Sequence, residues 1–187
     1  MLGRRIATAR TALSTVLAAG LCLAAMTAVS AAGSPTPERL RDGFFKVVFG
    51  LEYGRGHGDS QRVKKFSDPV RFHIVNLGQP DRTATVKEFV AALPEKVGGI
   101  RSRLVNDPQS ANFRIFLVER HDFAQTVARE LRADAVAMNA RCLVGVRTRN
   151  GRILSSTAVI VVDDPYLFQR CMVEEILQGL GPMNDDP

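Results

Sequence analysis

Histidine and cysteine, two residue types common in catalytic and metal sites, are scarce in this chain. Its 187 residues include only three histidines and three cysteines. The histidines, His57, His73 and His121, share no spacing typical of a zinc site. Internal repeats and clusters of basic residues are also absent. The formal net charge of +6 includes three arginines near the N-terminus, and the value of about +3 that remains does not indicate nucleic-acid binding.

The N-terminal segment has the three-part layout of a secretory signal. Its positive region is followed by the uncharged stretch Thr11–Val29, and then by the small residues Ser30, Ala31 and Ala32. The positive residues are Arg4, Arg5 and Arg10. A transmembrane anchor is the alternative interpretation, because Thr11–Val29 approaches the length of a membrane span. Pro35 and the small residues favour cleavage.

This layout predicts a signal peptide over residues 1–32, a linker over 33–36 and a single domain over 37–187. The mature protein is then periplasmic or secreted, and is long enough for one ordinary core. Cys22 lies within the signal. We expect no membrane attachment unless this cysteine is lipidated. Leu21 directly before it is a poor fit to a lipidation site.

Two cysteines remain after the signal, Cys142 and Cys171. In an oxidising compartment, such a pair predicts one disulfide. The bridge would close a loop of about 30 residues, which is worth roughly 3–4 kcal/mol on loop-entropy grounds. Two buried free thiols are the alternative.

Hydrophobic periodicity predicts an α+β domain with a mixed β-sheet packed by helices. Asn150-Gly151 predicts a hairpin between its last two strands. Pro94 is expected to kink its helix or end it early, and the glycine-rich segment 50–60 is expected to be a loop. The predicted helices are 37–49, 83–97, 121–131 and 165–179, and the predicted strands are 70–76, 111–118, 142–147 and 152–162.

The C-terminal helix divides into an apolar half and a polar half on a helical wheel. Glu174, Glu175 and Gln178 fall together on the polar half, beside Cys171. We expect the apolar half to pack on the sheet and the polar half to present these three residues. The apolar residues are Phe168, Met172, Val173, Ile176, Leu177 and Leu180.

The polar half has the frame of the zinc-peptidase motif H-E-x-x-H, in which two histidines bind zinc and the glutamate is the general base. Here Glu175 occupies the base position, and Glu174 and Gln178 replace the histidines. Gly181 and Asn184 fall where the longer motif has its turn glycine and can have a third ligand. A neutral amide is a poor zinc ligand, which disfavours catalytic zinc. An ordinary solvated helix face is the plain alternative.

The run from Cys171 to Asp185, CMVEEILQGLGPMND, resembles the signature of the domain of unknown function 2927 family, exported proteins of Gram-negative bacteria. Segments 45–53, 63–72, 111–120, 141–144 and 155–162 are similar to it as well. The resemblance implies a zincin-like domain, sometimes lipid-anchored, without an established activity. Family members extend further, so the resemblance also implies that this domain is shortened at its C-terminus.

These observations favour a non-catalytic, zincin-like envelope domain without a cofactor. A protein or peptide partner would bind the face formed by Glu174, Glu175, Gln178, Asn184 and Asp185. The rival hypothesis is a metal-dependent, peptidase-like hydrolase with Glu175 as base and zinc held by Glu174, Asn184 or Asp185. A Ser156–His121–Asp163 triad lacks a nucleophile motif, and the disulfide is favoured over Cys171 as a nucleophile.

Overall fold

A computed structural model describes residues 34–49, 62–133 and 140–184. Residues Glu38–Pro187 form one compact unit, distinct from Met1–Pro37. The predicted signal peptide with Cys22, the predicted loop with His57, and Asp185 lie outside the described residues.

Within those ranges, four α-helices and one five-stranded sheet make up a single domain. The helices are α1 (Pro37–Val48), α2 (Thr83–Lys96), α3 (Phe123–Leu131) and α4 (Pro165–Gln178). The strands are β1 (Val70–Asn76), β2 (Ser102–Leu104), β3 (Phe113–Val118), β4 (Cys142–Arg149) and β5 (Arg152–Val161). The prediction of one domain with a mixed sheet packed by helices is confirmed.

The sheet has the strand order β2-β1-β3-β5-β4. The β1–β2, β1–β3 and β3–β5 pairs are parallel, and only β4 runs antiparallel to its neighbour, β5. Because β3 is central, both of its faces are covered, and all but one of its side chains are buried. The hairpin predicted from Asn150-Gly151 joins β4 to β5, with positive φ at Asn150 (54°) and Gly151 (78°).

One face of the sheet, called here the first face, carries the larger core. Strand residues of one parity, such as Phe72, Ile115 and Ile160, pack there against Val86 of α2 and Ile176 of α4. Each of these five side chains is completely buried. The first face therefore holds α4 and its polar residues against the sheet.

The second face carries a smaller core beneath α3. Residues of the opposite parity, among them Phe116 and Val159, pack against Phe123 and Val127 of α3. This helix covers the half of the sheet near the C-terminal ends of β3 and β5.

Three local features differ from the predictions or refine them. The short strand β2 was not predicted, because three residues are too few for an alternating pattern to be detected. The helix expected from His121 begins with a 3₁₀ turn over Arg120–Asp122. Of the two effects expected of Pro94, an early end does not occur, because α2 continues to Lys96, close to the predicted range 83–97. The helix can continue because Val97 N–H still bonds to the Leu93 carbonyl oxygen, so proline removes a single bond near the helix end.

Candidate functional site

The local sequence fixes the start of α4 and thereby the position of the candidate site. Asp164 is the N-cap, and its carboxylate accepts bonds of 3.0 Å from the backbone N–H groups of Tyr166 and Leu167. Pro165 follows in the first turn, where its missing N–H costs nothing. The helix then runs to Gln178, so the frame Glu174–Gln178 occupies its last turns.

The structure does not present the polar half of α4 to solvent as expected. Glu175 and Gln178 are only 6% and 9% exposed. Val173, expected to face the sheet, is 40% exposed. The buried positions Phe168, Cys171, Met172, Glu175, Ile176 and Gly179 follow the helical repeat, so the inward stripe passes through Glu175.

Glu174 lies at the border of this stripe. Its side chain is 22% exposed, and its carboxylate lies 3.4 Å from the guanidinium Nε of Arg170, one turn earlier. With Glu175 and Gln178 buried, the interpretation of the polar half as an ordinary solvated face fails for those two residues.

Lys64 is a third buried polar residue at this end of α4, and sequence reasoning missed it. It is 3% exposed, and its ammonium lies 3.5 Å from the Arg62 carbonyl oxygen. The neighbouring Lys65 bonds to the backbone of Gly151 and Ile153 at the start of β5. The segment 62–65, with two lysines and an arginine, has no apolar periodicity that would have indicated burial. Buried polar and charged groups need partners, and Lys64, Glu175 and Gln178 all have them.

Two glycines after α4 allow close packing around the site. A β-carbon at Gly179 would collide with the ring of Phe113, and the Gly179 carbonyl accepts a 2.6 Å bond from the Ser156 hydroxyl. Gly181 has a φ of 148°, and a β-carbon there would collide with the Lys64 carbonyl oxygen. Gly181, the predicted turn glycine, therefore allows the segment 62–65 to pack closely against the end of α4.

Asn184 has a structural function in the position where a third metal ligand was considered. Its side-chain amide donates bonds to the carbonyl oxygens of Phe49 (2.8 Å) and Lys46 (3.3 Å). Its backbone N–H bonds to the Val47 carbonyl at 3.2 Å. Asn184 thus satisfies carbonyl groups at the C-terminal end of α1.

The predicted disulfide is present between Cys142 and Cys171, with a Cα–Cα distance of 5.7 Å. Cys142 is the first residue of β4, and Cys171 lies in the middle of α4. The bond therefore ties the hairpin to the helix that bears Glu174 and Glu175, and Cys171 carries no free thiol.

The described residues contain no group of three or more His, Cys, Asp or Glu side chains arranged to hold a metal ion. His73 Nδ1 lies 3.1 Å from the Val105 carbonyl oxygen. His121 is exposed and lies near the carboxylates of Glu119 and Asp122. None of these contacts involves a residue of α4.

The triad assembled from sequence is not brought together. Ser156 pairs with Phe113 at the start of β3, whereas His121 follows the end of that strand. Five residues of strand separate those ends by about 16 Å. Asp163 instead accepts a 3.1 Å bond from the Arg120 backbone N–H.

A comparison with protein families decides the identity of the domain. The family model described as "Protein of unknown function (DUF2927)" matches residues 37–187, which is most of the chain. The chain belongs to this family. No curated protein and no solved structure gives a significant match. In the part of the chain that the structure describes, no helix is both long enough and apolar enough to cross a membrane.

Proposed function

We propose that this chain is an exported, zincin-like domain without catalytic activity, and that it binds an extended segment of a protein or peptide partner along β4. The observation that carries the proposal is the outer edge of this strand. β4 pairs with β5 from Cys142↔Ile160 to Arg149↔Arg152. Within the described ranges no strand pairs with its other side.

An unpaired edge presents a row of backbone N–H and C=O groups that can accept another strand. Strand addition is a common way to bind extended peptides, because backbone bonds supply affinity and adjacent pockets supply specificity. The eight residues of β4 are long enough to receive such a segment.

The polar residues of α4 supply the second element of this proposal. Cys171, Glu174 and Gln178 are three and four residues apart, so they follow one another along one side of the helix. Because Cys171 is bonded to β4, this side of α4 is held next to the edge strand. In this proposal Glu174, which also pairs with Arg170, attracts a basic side chain of the bound segment.

Export is supported by the disulfide, since such bonds persist in oxidising compartments. The absence of catalysis is supported by the chemistry at the frame positions. Gln178 offers zinc only a neutral amide, and the amide of Asn184 is committed to the end of α1.

A direct test selects peptides from a random phage-displayed library on the purified protein. The selected peptides should slow amide hydrogen exchange at residues 142–149 and bind Glu174→Gln several-fold more weakly. Glu95→Gln, which makes the same charge change on an exposed position of α2, should bind them normally. Peptides that leave exchange in β4 unchanged, or an equal loss in both variants, would contradict strand addition.

The rival function is a metal-dependent hydrolase, favoured by the burial of Glu175, the residue in the base position. Elemental analysis of the purified protein and peptide hydrolysis assays with and without a chelator separate the two functions. Stoichiometric metal, together with chelator-sensitive hydrolysis that Glu175→Ala abolishes, would establish the rival and refute the non-catalytic proposal.

A further inference from the structure

The second face of the sheet contains a cleft that the proposed peptide site does not use. It has a volume of about 580 Å³ and lies beside the last turn of α3, over the half of the sheet where β3 and β5 begin. This volume is within the range typical of small-molecule sites. Its lining includes the polar residues Arg114, Glu130, Arg132, Arg147, Ser155 and Thr157.

Strand register brings these side chains together from three neighbouring strands. Arg114 of β3 pairs with Thr157 of β5, and Ser155 of β5 pairs with Arg147 of β4. Ser156, between Ser155 and Thr157, bonds to Gly179 on the first face. Because alternate side chains point to opposite faces, Ser155 and Thr157 point into the cleft on the second face.

The charges in the cleft favour an anion. Three guanidinium groups, from Arg114, Arg132 and Arg147, stand against the single carboxylate of Glu130. The Arg114 guanidinium lies 3.2 Å from that carboxylate and 5.5 Å from the centre of the Phe116 ring. Arg147 Nε donates a 2.8 Å bond to the Ser155 hydroxyl. These contacts orient the arginines and leave other N–H groups of each guanidinium for a ligand.

Thr157 contributes a hydroxyl group to the wall of the cleft. The residue is 7% exposed and lines the cleft. A hydroxyl in the wall of the cleft can donate a hydrogen bond to a ligand oxygen.

We propose that this cleft binds a small organic anion through its phosphate or carboxylate group. Arg114 and Arg147 flank the oxyanion, since a planar guanidinium matches the geometry of both groups. The Thr157 hydroxyl donates to one of its oxygens. Arg132, at the C-terminal end of α3, adds a third positive charge at the rim of the cleft.

The test uses inorganic phosphate and succinate as probes, titrated into the isotope-labelled purified protein at low ionic strength. Amide resonances of Arg114, Ser155 and Thr157 should shift and saturate with at least one probe. The tighter probe identifies the phosphate or the carboxylate as the preferred group. Hydrogen exchange in β4 distinguishes this cleft from the peptide site. Selected peptides should still slow amide exchange at residues 142–149 when the anion is bound.

Arg147→Gln and Thr157→Val should each weaken anion binding, with Arg147→Gln losing at least about tenfold in affinity. Arg103→Gln, which removes an exposed arginine from β2 at the opposite edge of the sheet, is the matched control and should bind normally. The proposal is overturned if neither probe saturates. It also fails if Arg103→Gln weakens binding as much as Arg147→Gln.

Discussion

The side-chain amide of Asn184 donates a 2.8 Å hydrogen bond to the carbonyl oxygen of Phe49 and so joins the segment after α4 to the end of α1. Residues 135 positions apart in sequence thereby become neighbours. The same amide also reaches Lys46. The Asn184 position of the family signature therefore has a clear structural function.

Replacement of Asn184 by alanine should destabilise the domain by about 1–2 kcal/mol, because two side-chain bonds to helix-end carbonyls are lost. Urea unfolding measures this difference, and amide exchange should accelerate most in α1. Asn106→Ala, at an exposed position between β2 and β3, should change stability by less than about 0.5 kcal/mol. Equal stability of the two variants would show that the Asn184 bonds contribute nothing.

Two glycine substitutions should have opposite effects on stability. Gly181→Ala should cost about 2–3 kcal/mol, because its φ is 148° and a β-carbon meets the Lys64 carbonyl oxygen. Gly43 lies within α1, and a β-carbon added there would meet no atom of another element within 4 Å. Gly43→Ala should therefore stabilise the domain by about 0.5–1 kcal/mol. Thermal or urea unfolding of both variants tests the pair. If Gly181→Ala leaves the free energy of unfolding unchanged, the segment 62–65 does not pack closely against this turn.

Replacement of both Cys142 and Cys171 by serine should lower the free energy of unfolding by about 3–4 kcal/mol. The physical reason is the larger conformational freedom of the unfolded chain without the bond, whose ends are 29 residues apart. Urea unfolding of the oxidised protein and of the double variant provides the measurement. Mass spectrometry of the unreduced protein is the control, and two free thiols would refute the bridge itself.

The sequence predicts the local elements of this fold well. The strand at Val70–Asn76 and the start of α4 match the structure, because alternation and an Asp-Pro helix start are strong local signals. The bridge was predictable because only two cysteines lie outside the predicted signal peptide, which leaves one pairing. The parallel order of the sheet was not predictable in the same way, since it depends on contacts between residues distant in sequence.

The environment of the candidate site was harder to predict than its position. The frame Glu174–Gln178 was found on the expected helix, but the burial of Glu175 was missed. Glu175 lies at an inward position but is polar, so it interrupts the apolar pattern of the helix. The polar face inferred from the sequence is therefore displaced by one residue from the face that is exposed. Lys64 gave no sequence signal, because its burial depends on the close approach of Gly181. The anion cleft likewise arises only from the register of β3, β4 and β5.

The last prediction concerns the pH dependence of Asp81, just before α2. Hydrogen bonds from the Thr83 hydroxyl and the Thr83 backbone N–H hold the pKa of the Asp81 carboxyl below its ordinary value. A carboxyl whose pKa is lower in the folded state stabilises the fold above its unfolded pKa. That contribution should disappear as the pH falls from the unfolded pKa through the lower folded one.

Carbon-detected NMR titration should therefore give Asp81 a pKa below the ordinary aspartate value. Thr83→Val removes the hydroxyl and should raise the pKa of Asp81 towards that value, while the backbone bond keeps part of the shift. Thr85→Val, at an exposed position of α2, is the matched control and should leave the pKa of Asp81 unchanged. Because the carboxyl is exposed, the shift in pKa is a more sensitive readout than global stability. If the pKa of Asp81 is unchanged in Thr83→Val, the Thr83 hydroxyl is not the main cause of the lowered pKa.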